Sequence, residues 1–322
     1  MHTVKALSRA VAAAAFVLSA VPASTNVGAA EAIETHSATV NGFKLSYLQA
    51  GHGSETPVVL LHGYAETNHM WLPLITKLAD RRIVIAPDLR GAGSSEKPMG
   101  GYDKRTMAQD IHALVRSLGY PKVKIVGHDI GLMVAYAYAA QYPSEVESIV
   151  LMDAFLPGVG DWTKVWLLRD LWHFHFYGEV PLKLVDGRER IYFEHFWNDF
   201  AADRNHSISE ADRQFYAAAY AQPGGMRAGF EYFKAFEQDG KDFEGFAMTP
   251  LTMPMLVAVA LRPPKSVAAV PDINDVMPME AMTMNTADQP TKTGWEYKNA
   301  AITAATTSTK PHNSAAGGPR RD

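Results

Sequence analysis

The chain has 322 residues, 47% of them hydrophobic and 20% charged, with a formal net charge of −4. That balance excludes a disordered chain and a protein built of membrane spans, and it leaves no basic field to hold a nucleic acid. With no cysteine, the chain has no disulfide, thiolate nucleophile or cysteine metal site.

Residues 1–30 read as a signal peptide. Lys5 and Arg9 supply the positive start, and residues 10–21 are apolar apart from Ser19. That run is too short to span a bilayer. Ala23, Ala29 and Ala30 offer cleavage points. The alternative is an ordinary N-terminal helix, which Pro22, Ser24 and Gly28 would stop early. The expectation is an exported protein, periplasmic or secreted, with no membrane span.

Residues 38–40 and 43–47 flank Asn41-Gly42, the dipeptide that tolerates positive φ at both turn positions, and predict a β-hairpin. Residues 57–61 (PVVLL), 82–86 (RIVIA), 122–126 (KVKIV) and 148–152 (SIVLM) are apolar runs of the kind buried on both faces of a sheet. Between them, Met107, Ile111, Leu114, Val115 and Leu118 share one helical face, which Gly119 closes. Alternating strands and helices predict an α/β fold, a parallel sheet with helices on both faces, whose chemistry sits beyond the carboxyl ends of the strands.

After the third apolar strand comes Gly127-His128-Asp129-Ile130-Gly131, then a helical run over 132–142. This is the pattern of a nucleophile elbow with Asp129 at its tip. A carboxylate there attacks carbon directly and forms an ester with the enzyme; the plainer reading is a helix-capping aspartate. After strand 57–61 come His62, Gly63 and Tyr64. The backbone N–H groups of Tyr64 and Ile130 are the candidate oxyanion donors, while His62 shapes the loop. Asp153 follows strand 148–152, either orienting a histidine base or simply solvated.

Residues 156–246 interrupt the alternation and read as a helical cap, rich in aromatics that include Trp162, Trp166, Trp172 and Trp197. An aromatic-lined cap suits a small hydrophobic substrate, although most of these rings pack the cap onto the core. His173, His175 and His195 lack the spacing of a zinc site, so neither metal nor other cofactor is expected. Residues 251–260 read as one more core strand. From 263 to 322 there is no leucine or phenylalanine, and the only histidine after His206 is His312. Such a tail lacks the side chains of a buried strand and a packed helix.

LLHGY (60–64), APDLRGAGSSEKP (86–98), VGHDIG (126–131) and MDA (152–154), each near a strand end, resemble the α/β-hydrolase superfamily. The aspartate elbow resembles its branch of epoxide hydrolases and haloalkane dehalogenases, secreted bacterial epoxide hydrolases among them. The likeness runs from about residue 40 to 257 and includes WHFHF, RERIYFEHF and MRAGFEYFKAF of the cap. It implies an α/β-hydrolase fold in five parts: signal peptide 1–30, core 36–155, cap 156–246, core strand 247–262 and atypical tail 263–322.

The resemblance also implies hydrolysis of an epoxide to a vicinal diol. Asp129 would form an alkyl ester, and a histidine paired with Asp153 would activate the water that cleaves it. His173 matches a cap histidine that donates to the epoxide oxygen. The family's partner tyrosine falls on Phe233, which cannot donate, and the neighbouring Tyr232 lies about 100° away around a helix. Trp172, Tyr232 and Phe233 complete the expected substrate-binding set.

The Gly-His-Trp loop, final strand and final helix of the family are missing or replaced. A shifted reading frame or divergence from about Ala258 is the expectation, with His312 folding back as the rival. Haloalkane dehalogenation is the alternative chemistry, although Ile130 stands where that family places a halide-binding tryptophan and residues 130–136 lack the arginines of fluoroacetate dehalogenases. An ester hydrolase is disfavoured, because a carboxylate attacking an acyl carbon gives an anhydride. A third reading is an impaired homologue that binds hydrophobic ligands. The oligomeric state stays open, with a homodimer as one option.

Overall fold

In a computed structural model, the described residues are 32–258 apart from 202 and 205. The expected signal peptide, the tail and His312 lie outside them.

The hairpin forms as expected: β1 (Glu34–Val40) pairs antiparallel with β2 (Phe43–Ala50), and Asn41 and Gly42 take φ of 45° and 84°. Next come β3 (Val58–Leu61), α1 (Leu72–Leu78) and β4 (Val84–Pro87); every residue of both strands is buried. α2 (Lys104–Ser117) starts at Asp103, whose side chain accepts the Thr106 N–H. It buries Met107, Ile111, Leu114 and Val115, and Gly119 beyond it takes φ 82°. β5 (Val123–His128), α3 (Ile130–Gln141) and β6 (Val146–Met152) follow.

Beyond β6 the described residues form helices and helical turns: α4 (Trp162–Trp166), α5 (Glu179–Val185), α6 (Glu189–Glu194), α7 (Glu210–Tyr220), α8 (Gly225–Lys234) and α9 (Phe236–Ala247). The chain then returns to the sheet as β7 (Met255–Ala258). This strand is shorter at its start than the apolar run 251–260 implies. Pro254 has no N–H for the ladder; its carbonyl instead accepts the Ile149 N–H at 3.0 Å.

The sheet runs β1-β2-β4-β3-β5-β6-β7, parallel from β4 onward, with the hairpin antiparallel at one edge. Side chains alternate across it. Val59, Leu61, Ile85 and Ile125 pack with α2 and α3, whereas Val58, Leu60, Val84 and Ala86 pack with Trp71 and Ile75. Each of these buried valine, leucine and isoleucine side chains contributes about 1.5–3 kcal/mol. After β3 the chain moves to β4 on one side and then crosses to β5 on the other. β3 and β5 are therefore the neighbours whose loops diverge, where open α/β sheets bind ligands.

Long-range polar contacts tie the helical insertion to the sheet domain. Lys104 and Asp239, both fully buried, pair at 2.7 Å, and Lys104 Nζ also donates to the Tyr232 carbonyl at 2.6 Å. Arg227 donates to the carbonyls of Lys97 and Pro98 at 2.6 and 3.1 Å.

Candidate active site

Asp129 sits between the end of β5 and the first residue of α3, with φ 51° and ψ −121°. An L-residue held there stores about 1–3 kcal/mol of strain, the signature of an elbow that serves a function. The flanking glycines permit it by close approach, since neither has positive φ. A Cβ on Gly127 would lie 2.2 Å from the Gly131 carbonyl oxygen, and one on Gly131 would lie 2.3 Å from that of Leu61. Gly63 is equally constrained: its Cβ would fall 2.7 Å from that of Asp129.

The carboxylate meets the two amides expected from the sequence. The Tyr64 N–H donates to Asp129 Oδ1 at 2.8 Å, and the Ile130 N–H also donates to the carboxylate. The N-terminus of α3 adds its dipole. Burial pushes the Asp129 carboxyl above the ordinary aspartate range, while His128 and the two amides pull it back.

Two site residues escaped the sequence reading. His128 Nδ1 lies 3.0 Å from Glu66 Oε2, and Glu66 also accepts the Gly63 N–H at 3.3 Å. Burial alone would lower the His128 pKa; Glu66, with Asp129 and Asp153 nearby, instead raises it to about 9. Burial would raise Glu66, but His128 brings it below its usual value. An imidazolium thus stands beside Asp129 and favours its ionised form. The available signals were a histidine inside the elbow motif and a glutamate three residues after Gly63.

His62 is fully buried, accepting the Leu89 N–H at Nε2 (3.0 Å) with Nδ1 2.8 Å from the Gly63 carbonyl. It braces the loop, and burial keeps its pKa low. Asp153 follows β6 at φ 57°, and its N–H donates to the Ala258 carbonyl at 2.9 Å.

His173 lies in the helical turn Arg169–His175 and is 5% exposed. Phe196 and Phe233 each touch both His173 and Tyr64: their centroids lie 4.7 and 5.3 Å from His173, and 5.1 and 4.7 Å from Tyr64. The ring of Phe233 therefore bridges the oxyanion loop and the cap histidine. The Tyr232 ring meets Tyr64 edge-on at 6.5 Å, and its hydroxyl donates to the Arg90 carbonyl at 2.5 Å, which anchors α8. Trp172 is 39% exposed and packs on His195 and Phe176, at 4.7 and 5.2 Å. Among the described residues no cluster of three or more His, Asp or Glu could hold a metal, and no helix is long and apolar enough to cross a membrane.

A strained carboxylate on two backbone amides, beside a loop packed under aromatic rings, suits nucleophilic attack on an electrophilic carbon. The profile of the α/β hydrolase fold matches residues 56–245. The chain is 36% identical over 233 residues to the soluble epoxide hydrolase of Corynebacterium sp. (strain C12), covering 70% of this chain and 80% of the relative. It is 32% identical over 152 residues to a fluoroacetate dehalogenase of Burkholderia sp., covering 44% of this chain and 50% of that one. The solved epoxide hydrolase CorEH superposes with a TM-score of 0.65 at 32% identity, over 70% of this chain and 81% of its own.

Proposed function

The chain belongs to the α/β-hydrolase family, and we propose that this enzyme opens epoxides to vicinal diols through an alkyl ester on Asp129. The observation that carries the reading is the Asp129 carboxylate at the elbow, with Oδ1 on the Tyr64 amide and the Ile130 amide also donating to the carboxylate. With Oδ1 held, Oδ2 attacks an epoxide carbon from the side opposite the breaking C–O bond. The leaving oxygen needs a proton, and His173 is the donor facing the Tyr64 side through Phe196 and Phe233. When water then attacks the ester carbonyl, the same two amides hold the oxyanion. Asp153 orients the histidine that activates this water, and His312 is the candidate for that histidine.

Displacement of halide is the second reading, favoured by the dehalogenase relative. The test is product analysis of the full-length protein with terminal epoxides, haloalkanes and haloacetates. Diol without halide release supports epoxide opening; halide release without diol overturns it. We also propose export directed by residues 1–30. N-terminal sequencing of the native protein should find a start just after Ala23, Ala29 or Ala30; an intact Met1 would refute it.

A further inference from the structure

Most buried polar side-chain atoms here have a partner. Two that do not, His173 Nδ1 and His195 Nε2, belong to rings whose centroids are 5.5 Å apart. His195 opens the π-type turn His195–Asp199, a form enriched at functional sites. Its Nδ1 lies 2.9 Å from Asp199 Oδ2, so Nδ1–H faces the carboxylate and Nε2 points away from it. The other Asp199 oxygen meets Arg204 at 3.4 Å. Exposure falls along the series: the Asp199 side chain is 53% exposed, that of His195 14%, and His173 5%.

We propose that Asp199 and His195 form a proton relay to His173, which supplies the proton to the leaving epoxide oxygen. The proposal rests on the epoxide reading of the site. Its chemical reason is Phe233: with no second hydroxyl there, His173 carries the whole donation. The two nitrogens are not bonded to each other as the rings stand, but with centroids 5.5 Å apart a turn of either ring, or one bridging water, joins them.

In the step, Asp129 Oδ2 bonds to carbon and the C–O electron pair stays on oxygen. That oxygen takes the proton from His173 Nε2. His173 Nδ1 takes one from the Nε2–H of the His195 imidazolium, leaving His195 neutral. The proton that ester hydrolysis later releases goes to His173 Nε2, and His173 Nδ1–H returns its proton to His195 Nε2, which restores both rings and closes the balance. His173 changes only its tautomer during ring opening and changes back at the reset. This agrees with burial pushing it down to about 3, with His195 and His175 adding to the effect, so that it stays neutral while passing a proton. His195 then acts through His173, and Asp199 is its positioning residue.

The test is rapid-quench mass spectrometry of the full-length protein with styrene oxide, reading the alkylation rate of Asp129. His195→Ala should slow alkylation by about 10- to 100-fold, within the range of acid catalysis. Added imidazole should restore most of that loss, but not in the double variant with His173→Asn. His195→Gln keeps the bulk and the contact with Asp199 but cannot pass a proton, so it should be equally slow. In the His173→Asn background it should cost nothing more. Asp199→Asn should lower the rate without changing the epoxide concentration at half-saturation.

Alkylation within twofold of wild type in folded His195→Ala and His195→Gln overturns the relay. So does a slowed His195→Ala that imidazole does not rescue, or an additive loss on top of His173→Asn. A wild type that is never alkylated overturns the epoxide reading and the relay together; an alkylated wild type with unaffected variants overturns the relay alone.

Discussion

Lys104→Met should unfasten the helical insertion. Lys104 Nζ lies 2.7 Å from Asp239 Oδ2 and 2.6 Å from the Tyr232 carbonyl, 4.7 Å above the Phe236 ring, and both ion-pair side chains are fully buried. Burial pushes lysine and aspartate toward their neutral forms, and their mutual contacts oppose it. Methionine fills similar space but leaves Asp239 with only the Lys104 backbone N–H, at 2.7 Å, and strips the Tyr232 carbonyl of its donor. Removing one partner of a buried pair costs about 3–5 kcal/mol, whereas replacing both by apolar groups is often neutral. At about 2–4 °C per kcal/mol, the single variant should melt about 10 °C lower. Lys104→Met/Asp239→Leu should recover to within about 2 kcal/mol of wild type. Guanidinium unfolding followed by tryptophan fluorescence measures both. A single-variant loss below about 1 kcal/mol, or a double variant worse than the single, would refute the ion pair as the anchor.

Other consequences concern the site. The folded-state pKa of His128, about 9 against 6.5 unfolded, means its pairing stabilises fully below pH 6.5 and is lost as pH rises through 9. The contribution is on the order of 3 kcal/mol. The stability gap between wild type and His128→Gln should therefore narrow from pH 6 to 9.5 in guanidinium titrations, and a constant gap would contradict the pairing. Asp129→Gly should relieve the strained elbow and unfold at equal or higher denaturant, by up to about 2 kcal/mol, while losing all alkylation. A marked destabilisation would mean that the carboxylate is structural. Phe233→Tyr should restore a second donor and speed alkylation by about 10-fold; a slower enzyme would mean that this ring edge does not face the reacting oxygen.

Much of this was legible in the chain because its signals are local. Buried strands need continuous apolar runs, so β3 to β6 stood out, and Asn41-Gly42 marked its hairpin by the φ values it must adopt. The elbow was legible as glycines around Asp129, although the reason differs: Asp129 itself carries the positive φ, while Gly127 and Gly131 are there because other backbone atoms crowd them. Pro254 could have shortened β7 in advance, since it cannot donate to the ladder. Pairings between distant residues were not legible. Lys104 and Asp239 are 135 positions apart, and Glu66 and His128 are 62 apart, joined only by the sheet order. Nothing in the spacing of Tyr232 and Phe233 said which ring bridges Tyr64 to His173; the contacts of Phe233 with both rings decide it.

The proposed hydrolysis turns on a covalent bond to Asp129. The most direct measurement is peptide mapping of wild type and Asp129→Asn after brief exposure to a terminal epoxide and acid quench. The expected result is a mass gain equal to the whole epoxide on Asp129 in the wild type, and none in the variant. Diol formation with no adduct at any quench time, or an adduct that persists in Asp129→Asn, would contradict it.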